Sequence, residues 1–213
     1  MELQEHAREA AFTDLAEYPK TIVLKDGSKV ILRPMVLEDG QGLLEFFTGL
    51  PDQERLFLRD DVINPEVVES WADSIDSERI LTILAVDGER IVGHATLYCS
   101  PFTWNRHVGS LRFTVSPEYR GKGLARVLAA EVFSRALPSG LEKLVSEVVL
   151  EQDDVRSVLF HLGFREEAVL RGQHRNAGGE NHDVVIMAND LNQLWKIWLE
   201  YCESVSGTWH MED

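Results

Sequence analysis

The sequence has no run of about 18 consecutive apolar residues, so no segment is long enough to span a membrane as a helix. Its N-terminus is polar and acidic and lacks the basic and then apolar regions of a secretory signal peptide. Cysteine is scarce: Cys99 and Cys202 are isolated and form neither a disulfide framework nor a CxxC pair. We therefore expect a cytoplasmic protein whose two thiols are free and at least partly buried.

Basic residues are also in short supply. The chain has 21 Lys and Arg against 36 Asp and Glu, which gives a formal net charge of −15. Nucleic acids and anionic membranes need clustered Lys and Arg, so neither is expected as a partner. A cationic partner, such as an amine or a lysine side chain, would be attracted. The acidic charge could equally serve only to keep the protein soluble.

The hydrophobic periodicity predicts one α/β (α+β) domain in which helices pack on a mixed sheet. We expect an N-terminal helical extension over residues 1–19, the main domain over 20–190, and a C-terminal helix and tail over 191–213. The Asp-Gly dipeptides at 26–27 and 87–88 indicate hairpin turns. The predicted strands are 21–24, 30–32, 80–86, 90–98, 108–115, 144–150, 164–171 and 183–187, and the predicted helices are 37–50, 65–75, 124–136 and 153–162.

The segment 115–125, Val-Ser-Pro-Glu-Tyr-Arg-Gly-Lys-Gly-Leu-Ala, places a glycine loop between a strand and a helix. Glycines allow backbone N–H groups to approach a ligand, and a helix N-terminus adds unpaired donors and a positive dipole end. Arg120, Lys122 and Arg126 add positive charge, so the segment suits a pyrophosphate. It is neither a Walker loop nor a dinucleotide fingerprint, and the alternative is a plain tight turn.

The same loop carries a more specific resemblance. Residues 120–125, Arg-Gly-Lys-Gly-Leu-Ala, resemble the Arg/Gln-x-x-Gly-x-Gly/Ala signature of the GNAT acetyltransferases. Residues 146–152 followed by Leu-Gly-Phe at 162–164 are similar to the family's next strand and helix, and Ile-Val-Gly at 91–93 is similar to its central hairpin strand. The resemblance covers about residues 20–190 and is closest in pattern to the acetyltransferase domain of bacterial protein-lysine acetyltransferases.

The resemblance implies a mostly antiparallel sheet that splays open between the strand ending at residue 115 and the strand starting at 144. Acetyl-CoA would serve as acyl donor, and an amine would attack it directly, with no metal and no covalent enzyme intermediate. The pantetheine arm would lie along the backbone near Phe113, Thr114 and Val115. The pyrophosphate would bind the amides of Arg120, Gly121, Lys122, Gly123, Leu124 and Ala125.

Catalytic residues are harder to assign because Leu159 stands where many members have a tyrosine acid and Gln152 where many have asparagine. Glu147 is the first candidate for general base, since burial in an apolar strand would raise its pKa. It could instead be a solvent-facing glutamate. His94 is the second candidate, or else a packed core histidine.

Three functions follow from this pattern. The first is an N-acetyltransferase for a primary amine, either a small molecule or a protein lysine, drawn by acidic residues such as Glu54, Asp60 and Asp61. The second is a catalytically silent acyl-CoA sensor, which the leucine at position 159 favours. The third is a partner domain, or a homodimer, formed through the aromatic stripe of the C-terminal helix: Trp195, Trp198 and Tyr201. That stripe could instead pack on the domain itself.

Overall fold

The computed structural model describes residues 12, 15–55, 57–58, 64, 67, 79–100, 102–176 and 178–191. Several predictions lie outside these residues. They are most of the N-terminal extension, the helix over 65–75, the acidic pair Asp60 and Asp61, and the C-terminal helix with its aromatic stripe and Cys202. Cys99 is buried, as expected, and forms no disulfide with another described residue.

The described chain forms one mixed sheet of eight strands in the order β1-β2-β3-β4-β5-β6-β8-β7. All neighbours are antiparallel except β5 and β6. The strands are β1 Lys20–Val23, β2 Lys29–Pro34, β3 Ile80–Asp87, β4 Arg90–Cys99, β5 Val108–Val115, β6 Lys143–Val149, β7 Arg165–Arg175 and β8 Asn181–Asp190. The helices are α1 Gly40–Thr48, α2 Asp52–Arg55, α3 Leu124–Ala136 and α4 Asp153–His161, with 3-10 turns at Leu37–Asp39, Thr103–Asn105 and Pro117–Tyr119.

Both Asp-Gly dipeptides form the hairpin turns that the sequence predicts. Gly27 and Gly88 have φ values of 84° and 62°, in the left-handed region that only glycine adopts without strain. In the first turn the Asp26 carboxylate accepts hydrogen bonds from the Ser28 hydroxyl at 2.6 Å and the Ser28 N–H at 3.1 Å. Hydrogen bonds from Ser28 and Lys122 lower the pKa of Asp26, so this turn keeps its negative charge.

The parallel contact between β5 and β6 is short. It pairs only three residues of each strand, Val108 to Ser110 with Lys143 to Val145. Beyond Ser110 the two strands diverge, and β6 pairs on its other side with β8. The predicted splayed sheet is therefore confirmed, and the divergence leaves one edge of β5 open where the glycine loop begins.

Helices cover both faces of the sheet and create two apolar cores. On one face α3 buries Leu124, Leu128 and Val132 completely, because its apolar residues recur at helical spacing. On the other face the α1 residues Phe46 and Phe47 pack with residues of β3 and β4. No helix in the described ranges is both long and apolar enough to cross a lipid bilayer.

Candidate active site

The divergence of β5 from β6 opens a cleft of about 1020 Å³. Several parts of the chain line it: the tip of the β1–β2 hairpin, the α1–α2 segment, the strands on both sides of the gap, the glycine loop with the start of α3, α4, and part of the β7–β8 hairpin. The glycine loop, Phe113 to Val115, Glu147 and His94 all line this one cleft. The chain thus brings together nearly all of the sites that the sequence analysis singled out separately.

The glycine loop presents a row of backbone donors at one end of the cleft. Gly121 and Gly123 adopt φ values of 69° and 93°, and Gly123 caps α3 in the left-handed conformation. Within the described residues the N–H groups of residues 121–125 have no acceptor. The first helical hydrogen bond here runs from Val127 N–H to Gly123 O, at 3.1 Å. Unpaired amides at the N-terminus of a helix suit an anion such as pyrophosphate.

The two basic side chains of the loop do not face a ligand in the way the sequence analysis assumed. Arg120 Nη1 donates to Glu54 Oε1 at 2.7 Å, and its Nε and Nη2 both donate to Val115 O at 3.2 Å. Lys122 Nζ lies 2.9 Å from Asp26 Oδ2 and 4.9 Å from the centre of the Tyr119 ring. The Lys122 side chain is not part of the cleft lining. Carboxylates therefore hold both cations.

Backbone groups of β5 reach the gap at alternate residues. The bond from Ser116 N–H to Val92 O, 2.9 Å long, fixes the phase of the β4–β5 ladder. In that phase Thr114 directs its N–H and C=O to β4, while those of Phe113 and Val115 point toward the gap. Val115 O is already bonded by Arg120. The groups open to an extended ligand are thus those of Phe113 and the Val115 N–H, and the backbone of Thr114 is committed to β4.

His94 lies at the other end of the cleft, beneath α1. Its ring is 7% exposed and stands edge-on to Phe46 and Phe47, with centroids 6.0 and 5.3 Å away. Nδ1 is 3.4 Å from Thr96 Oγ1, and Nε2 has no hydrogen-bond partner among the described residues. Burial, and then the charge of Arg112, lowers the pKa of His94 to about 4. The imidazole is therefore neutral near pH 7 and keeps one polar atom available to a ligand.

Comparison with known proteins identifies the family. The sequence model described as the acetyltransferase (GNAT) family matches residues 44–164, more than half of the 213-residue chain. The chain belongs to the GNAT acetyltransferase family. Among proteins of curated function, no sequence matches this one.

Solved structures of GNAT proteins share this fold. An acetyltransferase from Streptococcus pneumoniae is 22% identical, with a TM-score of 0.66, and the match covers 76% of this chain and 99% of that one. The GNAT domain of S. lividans PAT is 19% identical, with a TM-score of 0.66 and coverage of 82% and 99%. The protein yncA from Salmonella typhimurium, solved with its cofactor acetyl-CoA, is 17% identical, with a TM-score of 0.66 and coverage of 77% and 95%.

The two positions that depart from the common GNAT pattern behave differently. Leu159 is fully buried in the main core, whereas its helix neighbours Ser157 and Val158 line the cleft. Gln152 precedes α4 and accepts a bond of 3.3 Å from Val149 N–H. In this GNAT domain α4 thus presents the Ser157 hydroxyl to the cleft, and the side chain of Leu159 does not reach the cleft.

Glu147 lines the cleft, but its side chain is exposed to solvent. The expectation that Glu147 would be buried is wrong, because beyond Val145 no pairing of β6 with β5 occurs among the described residues and the strand lies beside the open cleft. A role for Glu147 as general base therefore rests on its position in the cleft and on its contact with solvent.

A stripe of polar side chains on one face of β4 and β5 was not predicted from the sequence. It arises because alternate residues of a strand lie on the same face of a sheet. His94, Thr96 and Tyr98 of β4 and their partners on β5 share one face of the sheet. On this stripe the Arg112 guanidinium lies 4.5 Å from the centre of the Tyr98 ring. The alternation of polar residues in both strands was the signal that could have revealed it. The β5 members are Ser110, Arg112 and Thr114.

An aromatic and acidic group at the far rim was also missed. Phe57 lies edge-on to His182 with centroids 5.3 Å apart, so the segment after α2 reaches the β7–β8 hairpin. His182 Nδ1 donates to Glu151 at 3.0 Å, and this hydrogen bond lowers the pKa of the carboxyl. Asn176 Nδ2 donates to His182 Nε2 at 3.0 Å, which fixes the ring. The opening at this side is therefore framed by ring faces and a carboxylate.

Proposed function

We propose that this GNAT protein is an N-acetyltransferase that moves an acetyl group from acetyl-CoA to a primary amine by direct attack. The observation that carries the proposal is the set of groups that line one cleft. One end offers unpaired amides of the glycine loop, and the other offers His94 Nε2, a buried nitrogen with no described partner. A donor and an acceptor bound at the two ends would meet in the gap between β5 and β6.

Family membership supports the donor half of this proposal. The amides of residues 121–125 would bind the pyrophosphate, because a helix N-terminus and unpaired N–H groups favour negative charge. The backbone of Phe113 and the N–H of Val115 would bond the pantetheine amides as an extra strand would. These contacts would hold the thioester beside β5 and leave its carbonyl carbon exposed to the acceptor side.

The acceptor half rests on His94 and Glu147. A neutral His94 can accept a hydrogen bond from the amine N–H and so orient the nitrogen lone pair toward the thioester carbon. A group with such a low pKa holds a proton poorly, so we assign it to positioning. Glu147, exposed to water in the same cleft, would receive the proton that the amine loses. The C–N bond forms, the C–S bond breaks, and the sulfur leaves as thiolate.

The usual position of the tyrosine acid holds Leu159, which is buried away from the cleft, so the leaving thiolate needs another proton source. Solvent, or the Ser157 hydroxyl that lines the cleft, would provide the proton. The same feature favours the second candidate function, an acyl-CoA sensor that binds the thioester without turnover.

One assay separates the two. Purified protein is mixed with acetyl-CoA and a panel of acceptors that includes polyamines, amino acids and lysine peptides, and release of free thiol is followed. Acceptor-dependent thiol release together with an acetylated amine in the mass spectrum supports the transferase. Saturable binding of acetyl-CoA with no acceptor-dependent release across the panel contradicts it and supports the sensor.

A further inference from the structure

The tip of the β1–β2 hairpin touches the glycine loop directly. Lys25 N–H donates to Lys122 O at 3.1 Å, and Asp26 holds the Lys122 ammonium at 2.9 Å. The hairpin turn is itself fixed by the bond from Leu24 N–H to Ser28 O, 2.8 Å long. The first hairpin of the chain therefore lies against the loop that precedes α3.

The Lys25 side chain runs along this loop. Its Cγ, Cδ and Cε lie 3.5 to 3.7 Å from the place where a Cβ on Gly123 would stand. Lys25 is part of the cleft lining, and Lys122 is not. A Cβ at this position would make ordinary van der Waals contact with the lysine stem, so the stem packs against the loop, and it is the left-handed turn that requires glycine at 123.

The charges around the loop differ in availability. Arg120 is paired with Glu54, and Lys122 is paired with Asp26. Lys25 forms no ion pair within the described residues, and its ammonium is exposed. A phosphate group at the amides of residues 121–125 would therefore find Lys25 as a cation that need not leave a carboxylate first.

We infer that Lys25, contributed by the N-terminal hairpin, is the side chain that binds a phosphate of the CoA thioester at the glycine loop, in place of the loop's own Lys122. This inference rests on the proposed use of a CoA thioester and adds a binding residue that lies outside the loop signature. Asp26 has a matching role: by holding Lys122 it turns that ammonium away from the cleft.

The test compares single lysine variants by calorimetric titration with CoA. Lys25→Gln should raise Kd roughly tenfold, the expected loss for one charge-assisted contact with phosphate. Lys25→Arg should restore most of the affinity because it keeps the charge. Lys122→Gln should lose less than Lys25→Gln. Lys29→Gln removes the same charge at the other end of the turn and should bind like the wild type. A thermal melt of each variant checks that the fold is intact.

A second titration with dephospho-CoA locates the phosphate. If Lys25→Gln weakens CoA and dephospho-CoA equally, Lys25 binds the pyrophosphate; if it weakens only CoA, Lys25 binds the 3′-phosphate. A Lys25→Gln variant that binds both ligands like the wild type, or that loses less than Lys122→Gln, overturns the inference and leaves the proposed function standing. A wild-type protein that binds no CoA thioester contradicts the proposed function itself.

Discussion

The burial of His94 predicts a specific dependence of stability on pH. In the folded protein burial lowers the pKa of His94 to about 4, whereas the pKa of an unfolded histidine is about 6.5. As the pH falls below the unfolded value, the unfolded chain binds a proton that the folded chain does not. Stability is therefore lost as pH decreases, and this loss saturates below the folded pKa.

The two pKa values set its magnitude. At pH 5 the ratio of protonated to neutral His94 is about thirty in the unfolded chain, whereas only about one-tenth of the folded molecules carry this proton. The difference lowers the free energy of unfolding by about 2 kcal/mol. Near pH 4 the cost rises to about 3 kcal/mol. His94→Gln keeps a polar side chain at the site and removes the titration.

Urea unfolding of both proteins between about pH 7.5 and pH 5 measures the difference. The wild type should lose about 2 kcal/mol more than His94→Gln over this range. The exposed His107 provides a matched control, because His107→Gln should follow the wild-type curve. Parallel curves for the wild type and His94→Gln would refute the reasoning.

Three further predictions concern the cleft. Gly123→Glu should abolish CoA binding, because it puts bulk and negative charge at a residue with a φ of 93°; wild-type affinity in a folded variant, measured by calorimetry, would show that the loop is not the site. Glu147→Gln should lower kcat/KM by about 10²–10⁴ if the carboxylate receives the proton, and equal kcat/KM for both proteins across pH would exclude that role. If the acceptor is a cation steered by the acidic surface, kcat/KM should fall as salt rises, and Asp60→Asn with Asp61→Asn should flatten that dependence; a salt-independent rate, or a preference for anionic acceptors, would contradict it.

Local signals in the sequence predicted most of the fold. The Asp-Gly turns, the strand at Val108–Val115 and the helix at Leu124–Ala136 all depend on residues that are adjacent in the chain. The splayed sheet followed from the ordered motifs of the family. The short helix α2 was not predicted, because its charged sequence Asp-Gln-Glu-Arg has no apolar face to mark it.

The site was harder to predict because its contacts are distant in sequence. Arg120 and Glu54 are 66 residues apart, and the position of Lys25 beside Gly123 depends on the packing of a hairpin against a loop. Glu147 was misjudged for a related reason. An apolar strand predicts burial only where another element covers it, and the gap beside β6 is a tertiary feature that no local pattern encodes.

The three-residue contact between β5 and β6 divides the sheet into two hydrogen-bonded blocks, β1 to β5 and β6 to β8, joined by a short seam. Such a seam is a natural boundary between units that open separately in hydrogen exchange. An extended ligand bonded to the free edge of β5 would add hydrogen bonds beside this short contact and so stabilise the closed arrangement of the two blocks. Since binding to the folded state alone adds about 2.7 kcal/mol at a hundredfold excess over Kd, the thermal stability of the whole domain would then report how fully its cleft is occupied.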